Sequence, residues 1–390
     1  MTLLGALRQL DRAVGRRGET RRVLVDSRTP VNYEMVAPVL RTMAVDERVR
    51  FAFTASEEPD RLRDIYRSVA PRTQLVGPAR ATVSRWDAYL TSDFMWATLP
   101  RGAARIQMFH GVAGKYGFDA PHESMRQWDR LFFVNERRLR NFVASGAIDA
   151  DSPAARLIGM PKVDCLVDGS LRQDRILQQF ELNPSLPTVL YAPTWSPASS
   201  LNRMGVALVE RLVTMPVNVI VKLHDRSRDL RPQYSGGIDW VAQLTPILDR
   251  PNGRMATTAN ITPCLAAADV MITDHSSAGF EFLLLDRPLV RIDIPELIRQ
   301  ANVHPDYVHL LADAADNVTT VDGAVAAVER ALADPRALSP VRRHVASDLF
   351  YRPGTASARC AAALYDVLEL TPHPAVAGAT REVSPWLQSA

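Results

Sequence analysis

Cysteine is scarce in this chain: Cys165, Cys264 and Cys360 are the three, far apart and outside any CxxC or Cys/His cluster. That spacing excludes a disulfide framework and a zinc site, and fits a reducing cytoplasm. Long apolar runs are also missing. No stretch of about eighteen apolar residues or more occurs and no secretory pattern opens the chain, so the sequence predicts neither a membrane span nor export by the usual signal. Charge of one sign is lacking as well, with 46 Lys and Arg against 43 Asp and Glu, and that balance predicts no nucleic-acid partner. Neither GxGxxG nor GxxxxGK[ST] is present; Gly111, Gly114 and Gly117 are spaced GxxGxxG, which gives no support to a dehydrogenase or a P-loop enzyme. No His-x-x-x-His pair or calcium loop appears, so no metal ligands are assigned.

What is present is the balance of a globular protein, 47% hydrophobic and 23% charged over 390 residues, enough for two domains with cores of their own. The charge is uneven. Residues 1–22 hold Arg8, Arg12, Arg16, Arg17, Arg21 and Arg22 against Asp11 and Glu19, and Leu3, Leu4, Leu7, Leu10 and Val14 recur at helical spacing. This reads as a basic amphipathic helix that lies on an anionic membrane surface or packs its Leu stripe on the protein.

From residue 23 onward, short apolar runs alternate with helical periodicity. "VLVD" (23–26), "VRFAFT" (49–54), "TQLVG" (73–77), "AYLTSD" (88–93), "RIQMFH" (105–110), "RLFFVN" (130–135) and "ARLIGMP" (155–161) read as strands between helices such as "NYEMVAPVLRTMA" and "ERRLRNFVASGA". Such alternation predicts a doubly wound parallel sheet over 23–165. A second series, "TVLYAPTW" (188–195), "VNVIVKLH" (217–224), "DVMITD" (269–274) and "PLVRID" (288–293), predicts another over 186–340. Residues 341–370 read as closing helices, and the Pro- and Ala-rich 371–390 as a flexible tail.

Four stretches carry candidate chemistry. In "RIQMFHGVAGKYGF" (105–118) an apolar strand stops at His110 and Gly111, where α/β proteins place ligands. In "VMITDHSSAGFEFLLLDRPLV" (270–290) a strand leads through Thr273, Asp274, His275, Ser276 and Ser277 into a helix. Ser276 and Ser277 stand where free N–H groups favour an anion, although plain N-capping by Asp or Ser would look the same. Glu281, one turn on, suits a ribose diol or a solvated helix face. In "VIVKLHDRS" (219–227), Lys222, His224 and Arg226 suit a diphosphate. In "LYAPTWSPASSLN" (190–202), Thr194 and Ser196 are candidate donors and Trp195 a candidate wall of a cleft between the domains, or else core packing.

In this order the pieces resemble the CDP-glycerol glycerophosphotransferases of teichoic acid synthesis, relatives of the two-domain GT-B glycosyltransferases. The matching motifs are "FHG" (109–111), "GMPKVD" (159–164), "YAPTW" (191–195), "KLH" (222–224) and "TDHSSAGFEFLLLDRPLV" (273–290). The resemblance covers roughly residues 85 to 365. It implies an α/β protein with two doubly wound Rossmann-like domains facing across a cleft, the N-terminal one on the acceptor side and the C-terminal one binding nucleotide. It also implies transfer of a polyol phosphate from a CDP-activated donor, such as CDP-glycerol, to a hydroxyl of a lipid-linked acceptor.

By this resemblance His110 and His224 are the catalytic candidates, and placement in the domain opposite the nucleotide favours His110 as general base. Lys222, Arg226, Thr194, Asp274, Ser276, Ser277 and Glu281 would bind the donor, and Gly111, Trp195 and His275 would line the rest of the cleft. Cationic side chains and a helix start would replace a divalent cation, so no cofactor or essential metal is expected. The protein is expected in the cytoplasm, peripheral on the inner face of the membrane through residues 1–22. The chain departs from the family's usual pattern at Phe109 (usually Trp), His275 (usually Tyr), Glu281 (usually Asp) and Asp225 (usually Pro), which leaves the donor open among CDP-glycerol, CDP-ribitol and other activated groups. Two other functions fit the same residues: a GT-B glycosyltransferase or sugar-nucleotide epimerase, and a non-catalytic nucleotide-binding protein.

Overall fold

A computed structural model describes residues 20–69, 74–93, 102–112, 125 and 127–379. The expected helix within residues 1–19, Gly114, Gly117 and the tail from 380 on lie outside the described residues. The chain divides into two compact units. Unit 1 falls within Met1–His110, Asp119–Asp164 and Phe350–Ala390, and unit 2 within Gly111–Phe118 and Cys165–Leu349.

Unit 1 holds strands β1 (Arg21–Asp26), β2 (Val49–Thr54), β3 (Gln74–Leu75), β4 (Ala88–Thr91), β5 (Ala104–Met108), β6 (Arg130–Phe133) and β7 (Ala155–Leu157). Unit 2 holds β8 (Thr188–Tyr191), β9 (Asn218–Val221), β10 (Gly253–Met255), β11 (Val270–Thr273), β12 (Leu289–Ile292) and β13 (Asp316–Val318). All pairings are parallel, in the orders β3-β2-β1-β4-β5-β6-β7 and β10-β9-β8-β11-β12-β13. The central strands are continuous apolar runs because helices cover both faces of a parallel sheet: Val23, Leu24 and Val25 in β1, and Val219, Ile220 and Val221 in β9, are at most 1% exposed. Burial of each such side chain contributes about 1.5–3 kcal/mol.

The helices used in the argument are, in chain order, α1 (Pro30–Met43), α2 (Glu136–Ala144), α3 (Ser200–Leu212), α4 (Ser277–Phe282), α5 (Ser339–Leu349), α6 (Ala356–Leu368) and α7 (Pro374–Ala379). Local chemistry starts them. Thr29 caps α1 by accepting from the Asn32 N–H, with Pro30 in the first turn, and Asn135 caps α2 by accepting from the Arg138 N–H at 2.8 Å. The buried stripe of α1, including Met35, Val36, Val39 and Met43, then seats it on the sheet.

The structure departs from or adds to the expectations at four points. Arg21 and Arg22 belong to β1 and not to a basic helix: Arg21 is buried with Nε donating to the Leu368 carbonyl at 2.9 Å, and Arg22 lies over the Trp86 ring. β10 and β13 have no counterpart in the reading above, because three-residue edge strands, one of them beginning Asp-Asn, carry too little apolar alternation. The closing helices are shared out: α5 falls in unit 2, where Arg342 pairs with Asp286 at 3.1 Å, whereas α6 falls in unit 1 and packs on α1. Residues 374–379 of the expected tail form α7, its first turn tied by His373.

The "GMPKVD" motif explains how α6 joins unit 1. Asp164 accepts from the backbone N–H groups of Gly354 (2.8 Å), Ala356 (3.0 Å) and Ser357 (2.7 Å), capping α6 from almost two hundred residues away. Gly159 has φ +87°, and a Cβ there would stand 2.5 Å from the Tyr351 carbonyl oxygen, so only glycine fits.

Candidate functional site

In each sheet the strand order reverses once, between β1 and β4 in unit 1 and between β8 and β11 in unit 2. Open α/β sheets bind ligands at the carboxyl ends of strands at such a reversal. The candidate residues follow this rule: Thr194 and Trp195 follow β8, Asp274 to Ser277 follow β11, Lys222 to Arg226 follow β9, and His110 and Gly111 follow β5.

At the unit 2 reversal, Asp274 is fully buried, and its task is internal. One oxygen accepts from the Thr194 N–H at 2.9 Å and the other from the Ser200 N–H (3.0 Å) and Oγ–H (2.9 Å), which stitches the β8–α3 loop to β11. Those bonds turn an expected donor ligand into the part that shapes the loop carrying Thr194 and Trp195. Ser276 caps α4 by accepting from the Ala278 N–H at 3.3 Å, and Ser277 stands beside it, both half-buried. Gly111, which groups with unit 2, has room for a Cβ, the nearest atom being Ser277 Oγ at 3.6 Å. His275 and Glu281 are each 1% exposed. His275 packs edge-on against Phe280, which in turn packs on Tyr307, so it lies within unit 2 and does not line a surface.

Past β9, Lys222 is buried with Nζ donating to the Leu223 carbonyl at 2.7 Å, while His224, Asp225 and Arg226 are half-buried. The Arg226 guanidinium lies 4.4 Å from the Trp195 ring centre and 5.1 Å from that of Tyr234, and the His224 and Trp195 ring centres are 6.3 Å apart. The structure thus brings Trp195, His224 and Arg226 into one cluster at half-exposed positions. Tyr234 completes it and was not a candidate; its signal is the turn "RPQYSGG", where Pro and Gly bracket a short helical segment.

In unit 1, His110 is half-buried. Its Nδ1 hydrogen-bonds the Ser92 carbonyl, at the end of β4 next to the reversal. Burial holds the His110 imidazole below its ordinary pKa; nearby Asp93 and the Ser92 carbonyl pull it up, and Arg138 and Lys162 add to the lowering. Phe109 is buried against Phe133 and Phe142, with Arg138 over its ring at 4.4 Å, which fixes the backbone from which His110 projects.

The two histidines differ in what their Nδ1 atoms face. A carbonyl only accepts, so Nδ1 of His110 carries the proton and the neutral ring presents a lone pair at Nε2. The Arg226 backbone N–H donates to Nδ1 of His224 at 3.1 Å, so neutral His224 carries its proton on Nε2. The two neutral rings therefore present opposite groups, a lone pair at Nε2 of His110 and an N–H at Nε2 of His224. Ser92 was passed over in the sequence because a backbone carbonyl leaves no mark on residue type.

Among the described residues no group of three or more His, Cys, Asp or Glu is placed to hold a metal ion, and no helix is long and apolar enough to cross a membrane.

A family model described as CDP-glycerol:poly(glycerophosphate) glycerophosphotransferase matches residues 32–297. The chain is 22% identical over 232 residues to a teichoic acid poly(ribitol-phosphate) polymerase of Bacillus spizizenii, a match that takes in 53% of this chain and 35% of the polymerase. The chain thus spans about a third of the length of that curated relative. Among solved structures, the wall teichoic acid polymerase TagF superposes with a TM-score of 0.68 at 14% identity, over 94% of this chain and 95% of that one. S. aureus MnaA, solved with UDP, superposes with a TM-score of 0.55 at 13% identity, over 90% and 98%. At such identities the likeness is one of fold, and the fold is GT-B-like.

Proposed function

The chain belongs to the CDP-glycerol:poly(glycerophosphate) glycerophosphotransferase family, and from this we propose that it moves a polyol phosphate, glycerol phosphate first of all, from a CDP-activated donor to a hydroxyl of a lipid-linked or polymeric cell-envelope acceptor in teichoic acid synthesis. In this reading the acceptor oxygen attacks the β-phosphorus of the donor. A new O–P bond forms, the bond to the CMP oxygen breaks, and the acceptor's proton passes to Nε2 of His110. Nε2–H of His224 and the Arg226 guanidinium donate to the diphosphate and offset the charge that gathers on the leaving CMP. Lys222 adds positive charge behind them, and Ser276 and Ser277 offer hydroxyls to phosphate oxygens. Because α4 has only six residues, the hydroxyls and the cations count for more here than the helix dipole.

The observation that carries the reading of His110 is its Nδ1 contact with the Ser92 carbonyl. That contact leaves a basic nitrogen at the end of a rigid strand. Cationic side chains supply the charge that many phosphoryl transfers take from a divalent ion, so the reaction runs without an essential metal. The basic end of the chain brings the protein to an anionic membrane surface on the cytoplasmic side.

A nucleotide-sugar glycosyltransferase or epimerase is the less favoured reading, because its support is a likeness of fold to a protein solved with UDP, S. aureus MnaA, whereas the family model matches the sequence itself. CMP release from CDP-glycerol, followed with a membrane extract as acceptor source and with EDTA present, tests the proposal. Release by the wild type and loss in His110→Ala with folding retained is the expected result. Binding of UDP- or GDP-sugars alone would move the protein to the glycosyltransferases, and binding of a CDP-polyol without turnover would make it a nucleotide-binding protein.

A further inference from the structure

We infer that Tyr234 is a positioning residue for the donor: with Trp195 it forms an aromatic corner that holds the Arg226 guanidinium in place without cancelling its charge, for a diphosphate to meet. The inference deepens the proposed function and rests on its donor site.

The two rings meet edge to face, 5.7 Å apart at 80°, and the Arg226 guanidinium lies against both. Ring faces attract a cation through their quadrupole and leave its N–H groups to oxygen acceptors. A carboxylate would hold the side chain as firmly but would neutralise it and occupy its fork. Among the described residues the Arg226 side chain has these aromatic contacts and no ion pair or hydrogen bond. Its neighbour on the other side of Tyr234 makes the contrast. Arg231 lies 4.7 Å from the same ring, yet its guanidinium is paired with Asp229 at 2.5 Å and brings no net charge.

The turn that carries Tyr234 is anchored. Pro232 starts it and Gly236, at φ +74°, ends it. The Ser235 carbonyl accepts from Asn202 Nδ2 at 3.1 Å and from Trp240 Nε1 at 3.2 Å, which ties the turn to α3 and to the Trp240–Leu248 helix. The ring is therefore a fixed part of unit 2, and Arg226, with four rotatable bonds, is the part that needs a fixed wall.

The test measures binding of CDP, with inorganic pyrophosphate as a second probe, by calorimetry on the full chain. The variants are Tyr234→Phe, Tyr234→Leu, Arg226→Gln and the Arg226→Gln/Tyr234→Leu double, with KM and kcat for CDP-glycerol alongside. Tyr234→Leu is expected to weaken both ligands, raise KM by about tenfold and lower kcat as well, since Arg226 also offsets the charge on the leaving CMP, while Tyr234→Phe stays within about twofold. In the Arg226→Gln background Tyr234→Leu should add nothing. Wild-type binding in Tyr234→Leu, an equal loss in Tyr234→Phe, or effects that simply add would overturn the inference. Should Tyr234→Leu not fold, Tyr234→Trp carries the test, since its stronger ring face is expected to keep binding and a loss there overturns the idea. The transferase reading fails separately: no CMP release by the wild type, with pyrophosphate binding still dependent on Tyr234 and Arg226, would end that reading and leave the aromatic corner standing.

Discussion

Nδ1 of His110 faces the carbonyl oxygen of Ser92, a residue eighteen positions earlier in the chain and at the end of the neighbouring strand. That one contact selects the tautomer, orients the ring and leaves Nε2 as the basic atom.

From it follows a pH profile. Burial keeps the imidazole below its ordinary value near 6.5, so at neutral pH the ring is uncharged and able to accept a proton. We expect kcat/KM to fall as pH drops through this lowered value and to be flat from about pH 7 upward, until another group titrates. His110→Gln should remove the acid limb along with the activity. A fall in rate already beginning above pH 7 in the wild type would be inconsistent with a lowered His110.

Asp26 ends β1 at the unit 1 strand reversal, where it accepts from the Ser56 N–H (3.0 Å), the Ser56 Oγ–H (2.6 Å) and the Tyr89 hydroxyl (2.7 Å). Burial outweighs these bonds and lifts its carboxyl to about 6. The folded chain therefore holds this proton more tightly than the unfolded chain does. Unfolding free energy should fall as pH rises between about 4 and 6, by up to about 3 kcal/mol from this group. Asp26→Asn, which has no proton to lose, should gain about 2–3 kcal/mol on the wild type between pH 4.5 and 7.5 in urea titrations. Parallel pH dependence of the two proteins would refute the assignment.

Asp164 should be worth more than an ordinary helix cap. Truncation to Ala strands three backbone N–H groups at the start of α6, at a cost of about 3 kcal/mol, and frees the C-terminal segment from unit 1. Limited proteolysis near residues 350–356 is the direct readout, and resistance equal to the wild type would show that other contacts suffice.

Asp274→Ala should act at a distance on the donor. It leaves the Thr194 and Ser200 N–H groups without their acceptor, costs about 3 kcal/mol or more, and releases the loop on which Trp195 sits. CDP binding should weaken while Asp274→Asn, which keeps one acceptor oxygen, recovers part of it. Unchanged CDP affinity in a folded Asp274→Ala protein would separate the loop from the site.

Two sheets, most of their strands and the placement of the candidate residues at strand ends were legible in the residues alone. A buried parallel strand reads as an apolar run, and ligands in such sheets bind at strand carboxyl ends, so the polar residues that close "VIVKLHDR" and "VMITDHSS" mark a strand and a candidate turn at once. The roles inside those turns were not. Asp274 and Ser276 carry the same residue types whether they bind a phosphate or cap their own backbone, and only the folded chain shows Asp274 spent on Thr194 and Ser200. Likewise "GMPKVD" reads as a motif, but its meaning, a cap on a helix that returns from the far end of the chain, arises from a contact no local pattern encodes. His110 and His224 are the same side chain after similar strands. What distinguishes a lone pair at Nε2 from an N–H there is the backbone atom opposite each Nδ1, and tertiary structure alone supplies it.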